Sequence, residues 1–233
     1  FHSNDARGMT AKVTAKTGEA IDPAIPLVRT KGREIGFRTE WLPGLQSSVA
    51  LWQLDIASEL VFVGDAGETE ASGASRRHGV EFNNHYVVAP WLILDADLAL
   101  SRARFRHLQG EAPNAGREVP GAVQKVLSAG ATVTDLGPWF GQLQVRYFGP
   151  RPLIEDNSVR SKGSTLTYAR IGYRIHADTR LSLDVFNLLN RKVSDIDYYY
   201  TSRLRGEPVE GIDGIHAHPA EPRTIRATLS MNF

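Results

Sequence analysis

Apolar and polar side chains alternate residue by residue in nine segments of this chain, and the links joining those segments are short and long by turns. In "REIGFRTEW", Ile35, Phe37, Thr39 and Trp41 oppose Glu34, Gly36, Arg38 and Glu40. "SVALWQLDIASELVF" sets Trp52, Leu54, Ile56, Leu60 and Phe62 against Gln53, Asp55 and Glu59, and "HGVEFNNHYVV" sets Val80, Phe82 and Tyr86 against Glu81, Asn83 and His85. Further on, "LILDADLALSRARF", "AVQKVLSAGATVT", "WFGQLQVRYFG", "STLTYARIGYRI" and "RLSLDVFNLLN" repeat the plan. The ninth segment, "PRTIRATLSMNF", carries Ile225, Ala227, Leu229, Met231 and Phe233 on one face up to the last residue. A two-residue period belongs to strands whose two faces meet different surroundings. No stretch sustains helical spacing between a cap and a stop of its own, so the expected class is all-β and antiparallel.

The links decide what kind of β structure this is. Short ones cover residues 42–45, 89–91, 136–138 and 176–179; long ones cover 5–28, 64–77, 107–120, 151–164 and about 191–221. Alternation gathers the tight turns at one edge of the sheet and the long loops at the other. A transmembrane barrel of the outer membrane has that form, with short periplasmic turns and long extracellular loops. Its inward face would hold Asp95, Asp97, Gln142, Gln144, Arg146, Arg170, Arg174, Asp184 and Arg226. Such groups are costly in a dry core and cheap beside a wet lumen. A soluble sandwich would instead turn them to solvent, so alternation by itself leaves both readings open. Trp41, Trp91 and Trp139 stand at or beside short turns. They suit a membrane girdle, where half the ring is wet, although in a sandwich they would be core aromatics near hairpin ends.

Composition removes several classes. No apolar run approaches the ~20 residues of a membrane helix, which a β-barrel does not need. Net charge is +1, from 27 basic and 26 acidic side chains, and gives no electrostatic case for nucleic acid. There is no cysteine, hence no disulfide framework, no thiolate nucleophile and no Cys-based zinc site. The opening "FHSNDARGMT" lacks the basic and apolar regions of a signal peptide and reads as the interior of a longer chain.

Six stretches then carry a resemblance over essentially the whole chain: "FHSNDARG", "RTKGREIGFRTE", "LWQLDIASELVFVGDAGETE", "SRRHGVEF", "RYFGPRPLIEDNSVRS" and "LDVFNLLNRKVSDIDYYY". With a terminal strand closing on Phe233, they resemble the C-terminal part of the barrel of TonB-dependent outer-membrane receptors. The resemblance implies a barrel of about 22 strands, plugged by an N-terminal domain. Residues 1–233 would be roughly its last nine strands, with Phe1–Asn4 ending the strand before, and the plug and TonB box would lie outside this chain. It further implies uptake of a scarce nutrient, such as iron–siderophore or cobalamin, at the outer membrane of a Gram-negative bacterium. The expected partners are outer-membrane lipid, that small ligand, TonB acting through the plug, and the barrel-assembly machinery reading Phe233. A passive porin, which needs neither plug nor TonB, is the nearest alternative. A soluble β-sandwich binding domain is the second.

Candidate chemistry is sparse. "HAHP" places His216 and His218 two residues apart near Asp213 and Glu221, a weak metal pair without a third ligand at fixed spacing. Carboxylates on the long loops, namely Asp65, Glu155, Asp156, Asp195 and Asp197, together with Tyr198, are candidate ligand contacts, though any one could be plain solvated loop. Neither "LIEDNSVRS" nor "VGDAGETE" matches a calcium loop, and the latter is no phosphate loop. Asp95 and Asp97 share a strand face with Arg170, Arg174 and Arg226 available as partners, which explains them more simply than a hydrolase pair does. G-x-S-x-G and H-E-x-x-H are both absent, so no enzyme and no cofactor is expected.

Overall fold

A computed structural model describes residues 2–3, 27–63, 68–110 and 113–232. Nine long strands form one antiparallel meander. In chain order the strands are β1 (His2–Ser3), β2 (Leu27–Val28), β3 (Thr30–Leu42), β4 (Leu45–Ile56), β5 (Glu59–Val63), β6 (Glu68–Ser72), β7 (Ser75–Ala89), β8 (Leu92–Gln109), β9 (Gly116–Glu118), β10 (Lys125–Leu136), β11 (Trp139–Phe148), β12 (Ser164–Arg174), β13 (Thr179–Phe186), β14 (Ser194–Ser202), β15 (Ile212–Pro219) and β16 (Thr224–Met231). The main sheet runs β3-β4-β7-β8-β10-β11-β12-β13-β16, with β9 extending the upper end of β8. These nine strands are the nine alternating segments of the sequence. β1 pairs with β2 as a separate two-stranded sheet, and Phe1 and Asn4 lie outside the described residues.

Register assigns the faces, because directly paired residues share one. One face carries the rows Phe37–Val49–Phe82–Leu98–Leu127 and Leu94–Ala131–Leu143–Ala169–Val185–Ile225. The other carries Arg38–Ser48–Asn83–Asp97–Ser128–Arg146 and Gln142–Arg170–Asp184–Arg226. The apolar face lies open: Ile35, Phe37 and Trp41 are each about two-thirds or more exposed, and so is Ile225 at 62%. Among the described residues no second sheet covers it, which removes the sandwich alternative. Among the described residues, the buried apolar residues that cluster are Ala103, Phe105 and Val119, under β9 at the long-loop end. An apolar face this broad, with no buried apolar core against it among the described residues, has the form of the outward face of a transmembrane barrel.

Two details depart from the alternation pattern. "SVALWQLDIASELVF" is not one strand: the chain bends at Ala57 and Ser58, and β5 pairs with β6 as a separate hairpin. In the upper half of β4 the faces are also reversed from the apolar reading. Leu51 pairs with Val80 on the apolar side, so Trp52 and Leu54 point to the polar side, and Gln53 and Asp55 to the apolar one. Trp52 lies over Gly79, where a Cβ would stand 2.8 Å from the indole ring. Beyond the lipid both faces are wet, so apolarity no longer reports direction there.

The most recognisable stretch, "DVFNLLN", is a strand and its stapled exit. β13 ends at Phe186, and Asn187 and Asn190 then take φ of 48° and 50°, a region asparagine tolerates. The Asn187 amide nitrogen donates to the Arg191 and Glu221 carbonyls at 2.9 and 3.0 Å, and its oxygen accepts from the Arg191 N–H at 2.8 Å. Asn190 accepts from the Arg223 N–H at 3.1 Å. The two asparagines thereby tie the start of a long loop to its end, beside the entry to β16.

Candidate functional site

The polar face is lined by cross-strand pairs whose partners depend on register. Asp184, 1% exposed, accepts from Arg170 Nε at 2.6 Å and from the Tyr168 hydroxyl, with Arg226 in the adjacent strand. Arg226 also lies 5.1 Å from the centre of the Phe186 ring. Asp95 bonds to His85 Nδ1 at 2.6 Å, and Arg174 bonds to Asp135 at 2.7 Å. The arginines expected to serve Asp95 and Asp97 therefore have other partners; antiparallel pairing reaches one strand away, and β12 and β16 lie farther. Tyr168, unmarked in the sequence, completes the Asp184 cluster.

Above this face, the polar stretch 191–221 forms the β14–β15 hairpin. Beneath it opens a cleft of about 850 Å³, lined by Gln142, Arg146, Tyr168 and Arg170 from the sheet and Asp195 and His218 from the hairpin. Arg151 anchors the hairpin from the preceding loop: Nη2 donates to the Asp195 carbonyl at 3.0 Å and stands 3.7 Å from the buried Asp197 carboxylate. Thus Asp195 lines the cleft while Asp197 is structural. Tyr198 is paired in register with His216, and the His216 ring stacks on Tyr200 at 3.7 Å. Among the described residues no three His, Asp or Glu side chains are placed to hold a metal, and His218, not His216, faces the cleft. Glu155 and Asp156 sit apart from it, against β9, where Glu118 N–H donates to the Glu155 carbonyl at 2.9 Å. Asp65 and Phe233 lie outside the described residues.

At the short-turn end Trp41, Trp91 and Trp139 are all exposed, and Trp139 meets Tyr173 edge-on at 4.8 Å. At the long-loop end, arginines succeed the apolar residues on the apolar face. Asp55 accepts from Arg76 Nε and Arg106 Nη2, each at 2.7 Å, and their guanidiniums hold its carboxyl well below the usual range. Burial pushes the Glu118 carboxyl up, but hydrogen bonds from Arg102 and Arg104 at 2.9 and 2.7 Å outweigh it and leave it lowered. Sequence reading missed both clusters, although "SRARFRH" shows them: Arg102, Arg104 and Arg106 continue the parity of Leu98 and Leu100.

An open antiparallel meander with a bare apolar face, a charged opposite face and long loops at one end defines a sector of a transmembrane β-barrel. The sequence profile described as "TonB dependent receptor-like, beta-barrel" matches residues 14–188, and the chain belongs to that family, whose members are receptors of the Gram-negative outer membrane. Similar solved structures include the ferric-catecholate import receptor Fiu from E. coli K12 in its closed form, with 21% identity over 88% of this chain and 28% of that one (TM-score 0.66). The ferric yersiniabactin uptake receptor FyuA from Yersinia pestis gives 18% identity, 88% and 30% coverage and a TM-score of 0.67. The copper transporter OprC gives 18%, 88%, 32% and 0.64. The chain thus spans less than a third of the length of these relatives. No curated protein matches it.

Proposed function

We propose that this chain is the C-terminal barrel sector of an outer-membrane receptor that imports a scarce nutrient with energy relayed by TonB. In this reading an N-terminal plug, outside this chain, gates the pore and receives the pull. The observation that carries the proposal is the bare apolar face combined with a charged opposite face and the family match over residues 14–188. Iron–siderophore complexes are the favoured ligand class, since Fiu and FyuA are import receptors for ferric chelates. Ligand would enter between the long loops, where the cleft under β14–β15 offers Asp195, His218 and Tyr168 to a polar molecule. Trp41, Trp91 and Trp139 would mark the periplasmic headgroup level, and Phe233 would be read during barrel assembly.

Uptake separates this from a passive porin. A strain lacking the gene, complemented with the full receptor, should accumulate labelled ferric chelate only when TonB is present. Equal accumulation without TonB would favour the porin and sink the energised reading.

A further inference from the structure

A two-stranded hairpin standing alone in water is marginally stable at best, so the β14–β15 hairpin needs a support outside itself to keep its place above the cleft. Loop 151–163 is built as one. It is folded on itself by the Pro152–Arg160 bridge, with Pro152, Leu153 and Ser161 buried. It is also clamped to its neighbours: the Gly121 and Glu118 N–H groups donate to the Pro152 and Glu155 carbonyls at 2.8 and 2.9 Å, and Arg160 Nη2 donates to Gln124 Oε1 at 2.7 Å. β9 lies so close to the loop that a Cβ at Gly116 would stand 1.9 Å from the Glu155 carbonyl oxygen. Ser161 holds the Arg151 main chain from both sides. Its hydroxyl accepts from the Arg151 N–H at 3.1 Å, and its N–H donates to the Arg151 carbonyl at 2.9 Å. The Arg151 side chain therefore leaves the loop from a fixed point.

What Arg151 reaches is a bulge. Ser194 pairs with Pro219 and Ile196 with His218, so Asp195 is an extra residue between them, and the register shifts there. In an unbroken strand the neighbours Asp195 and Ile196 would face opposite ways. With Ile196 paired to His218, the bulge is what lets the Asp195 side chain join His218 at the cleft. The Asp195 carbonyl accepts from Arg151 Nη2 at 3.0 Å, and the Asp197 carboxylate, 7% exposed, lies 3.7 Å from the same nitrogen. We propose that Arg151 is a positioning residue for the ligand cleft: it pins the Asp195 bulge, and so holds Asp195 and His218 together above Arg146 and Arg170. The proposal rests on the import reading above, in which ligand enters at this cleft. Loss of the guanidinium frees the bulge and leaves Asp197 buried without its counter-charge, which drives the hairpin off its seat. The hairpin, loop 151–163 and β9 are thereby one wall, set before any ligand arrives.

The test uses the full-length receptor in lipid vesicles, with nitroxides at Leu183→Cys on the lipid face and Ala217→Cys on the hairpin face turned away from His218. Pulsed electron paramagnetic resonance reads the distance between them without any ligand, and the parent should give one narrow distance. A charge-assisted hydrogen bond is worth about tenfold or more in an equilibrium. Arg151→Gln should therefore raise the displaced population about tenfold. Asp197→Asn, which keeps the Asp195 bond, should raise it less, and Arg151→Lys, which keeps a donor and the charge, should restore the single distance. Arg205→Gln at the hairpin tip is the control and should change nothing. An undisturbed distance in an Arg151→Gln receptor that keeps heat-modifiable migration would overturn the proposal. So would equal displacement in Arg205→Gln, or no rescue by Arg151→Lys. Should Arg151→Gln lose heat-modifiable migration, Asp197→Asn decides, and an undisturbed distance there would overturn the proposal. In uptake of a ferric tris-catecholate, Arg151→Gln should raise the KM severalfold with the maximal rate per receptor unchanged; a lower rate at unchanged KM would count against positioning. No energised uptake by the wild type would overturn the import reading and leave the distances to decide the role of Arg151.

Discussion

Leu143 and Gln144 are neighbours in β11 that face opposite worlds, and placing an arginine at each in turn measures the difference. Leu143 is paired with Ala131 and Ala169 on the bare apolar face, 48% exposed and four residues from Trp139. Those four residues are about 13 Å of strand, or about 10 Å of height, near the middle of a ~25 Å apolar band. An arginine at that depth on the lipid face costs about 2–4 kcal/mol, a factor of roughly 30 to 700 in the folding equilibrium. At Gln144 the guanidinium meets the wet polar face instead. The change forfeits one 3.3 Å hydrogen bond to the Ser128 hydroxyl, worth about 1 kcal/mol at most. Both variants are made in the full-length receptor, and unfolding free energy in lipid vesicles is read by denaturant titration. Leu143→Arg should be the costlier by about 1–3 kcal/mol. Equal costs, or a greater cost at Gln144, would refute the assignment of faces.

Other consequences are equally direct. Asn187→Ala removes three hydrogen bonds and a residue suited to positive φ, so it should destabilise the receptor by about 2–3 kcal/mol and lower its heat-modifiable fraction. Asp55 and Glu118 have depressed carboxyl values, so their stabilisation is present above the unfolded range of about 3.9–4.3 and is lost only as pH falls through the lower folded values. Hydrogen exchange across residues 102–109 and 116–118, corrected for intrinsic rates, should stay protected from pH 7 down to about 4.5; early loss would contradict the pairing. Deleting Phe233 should impair assembly and leave ligand affinity of the assembled fraction unchanged; normal insertion would remove its role as an assembly signal.

Legibility tracked the lipid. Every long strand could be read because a residue facing hydrocarbon must be apolar and its neighbour facing the lumen need not be. Above the apolar rows the signal fails: β5 reads as a continuation of β4, the β14–β15 hairpin hides in a polar stretch, and the upper half of β4 reads backwards around Trp52. Pairing was hidden for a different reason. That Asp95 meets His85, or that Tyr168 reaches Asp184, follows from the register of adjacent strands, which alternation constrains only to within even shifts. Of the candidate ligand residues, Asp195 and His218 come together at the cleft because β14 and β15 pair, a contact set by the hairpin and not by the spacing of "HAHP".

The most direct test of the central claim is a nitroxide scan through residues 142–147 of the full receptor in lipid vesicles, made at single introduced cysteines. This stretch has no native cysteine to interfere. Collision with oxygen, which concentrates in the bilayer, should peak at positions 143, 145 and 147 and fall at 142, 144 and 146. A flat profile, or one with the opposite phase, would contradict a strand with one face in lipid and the other in the lumen.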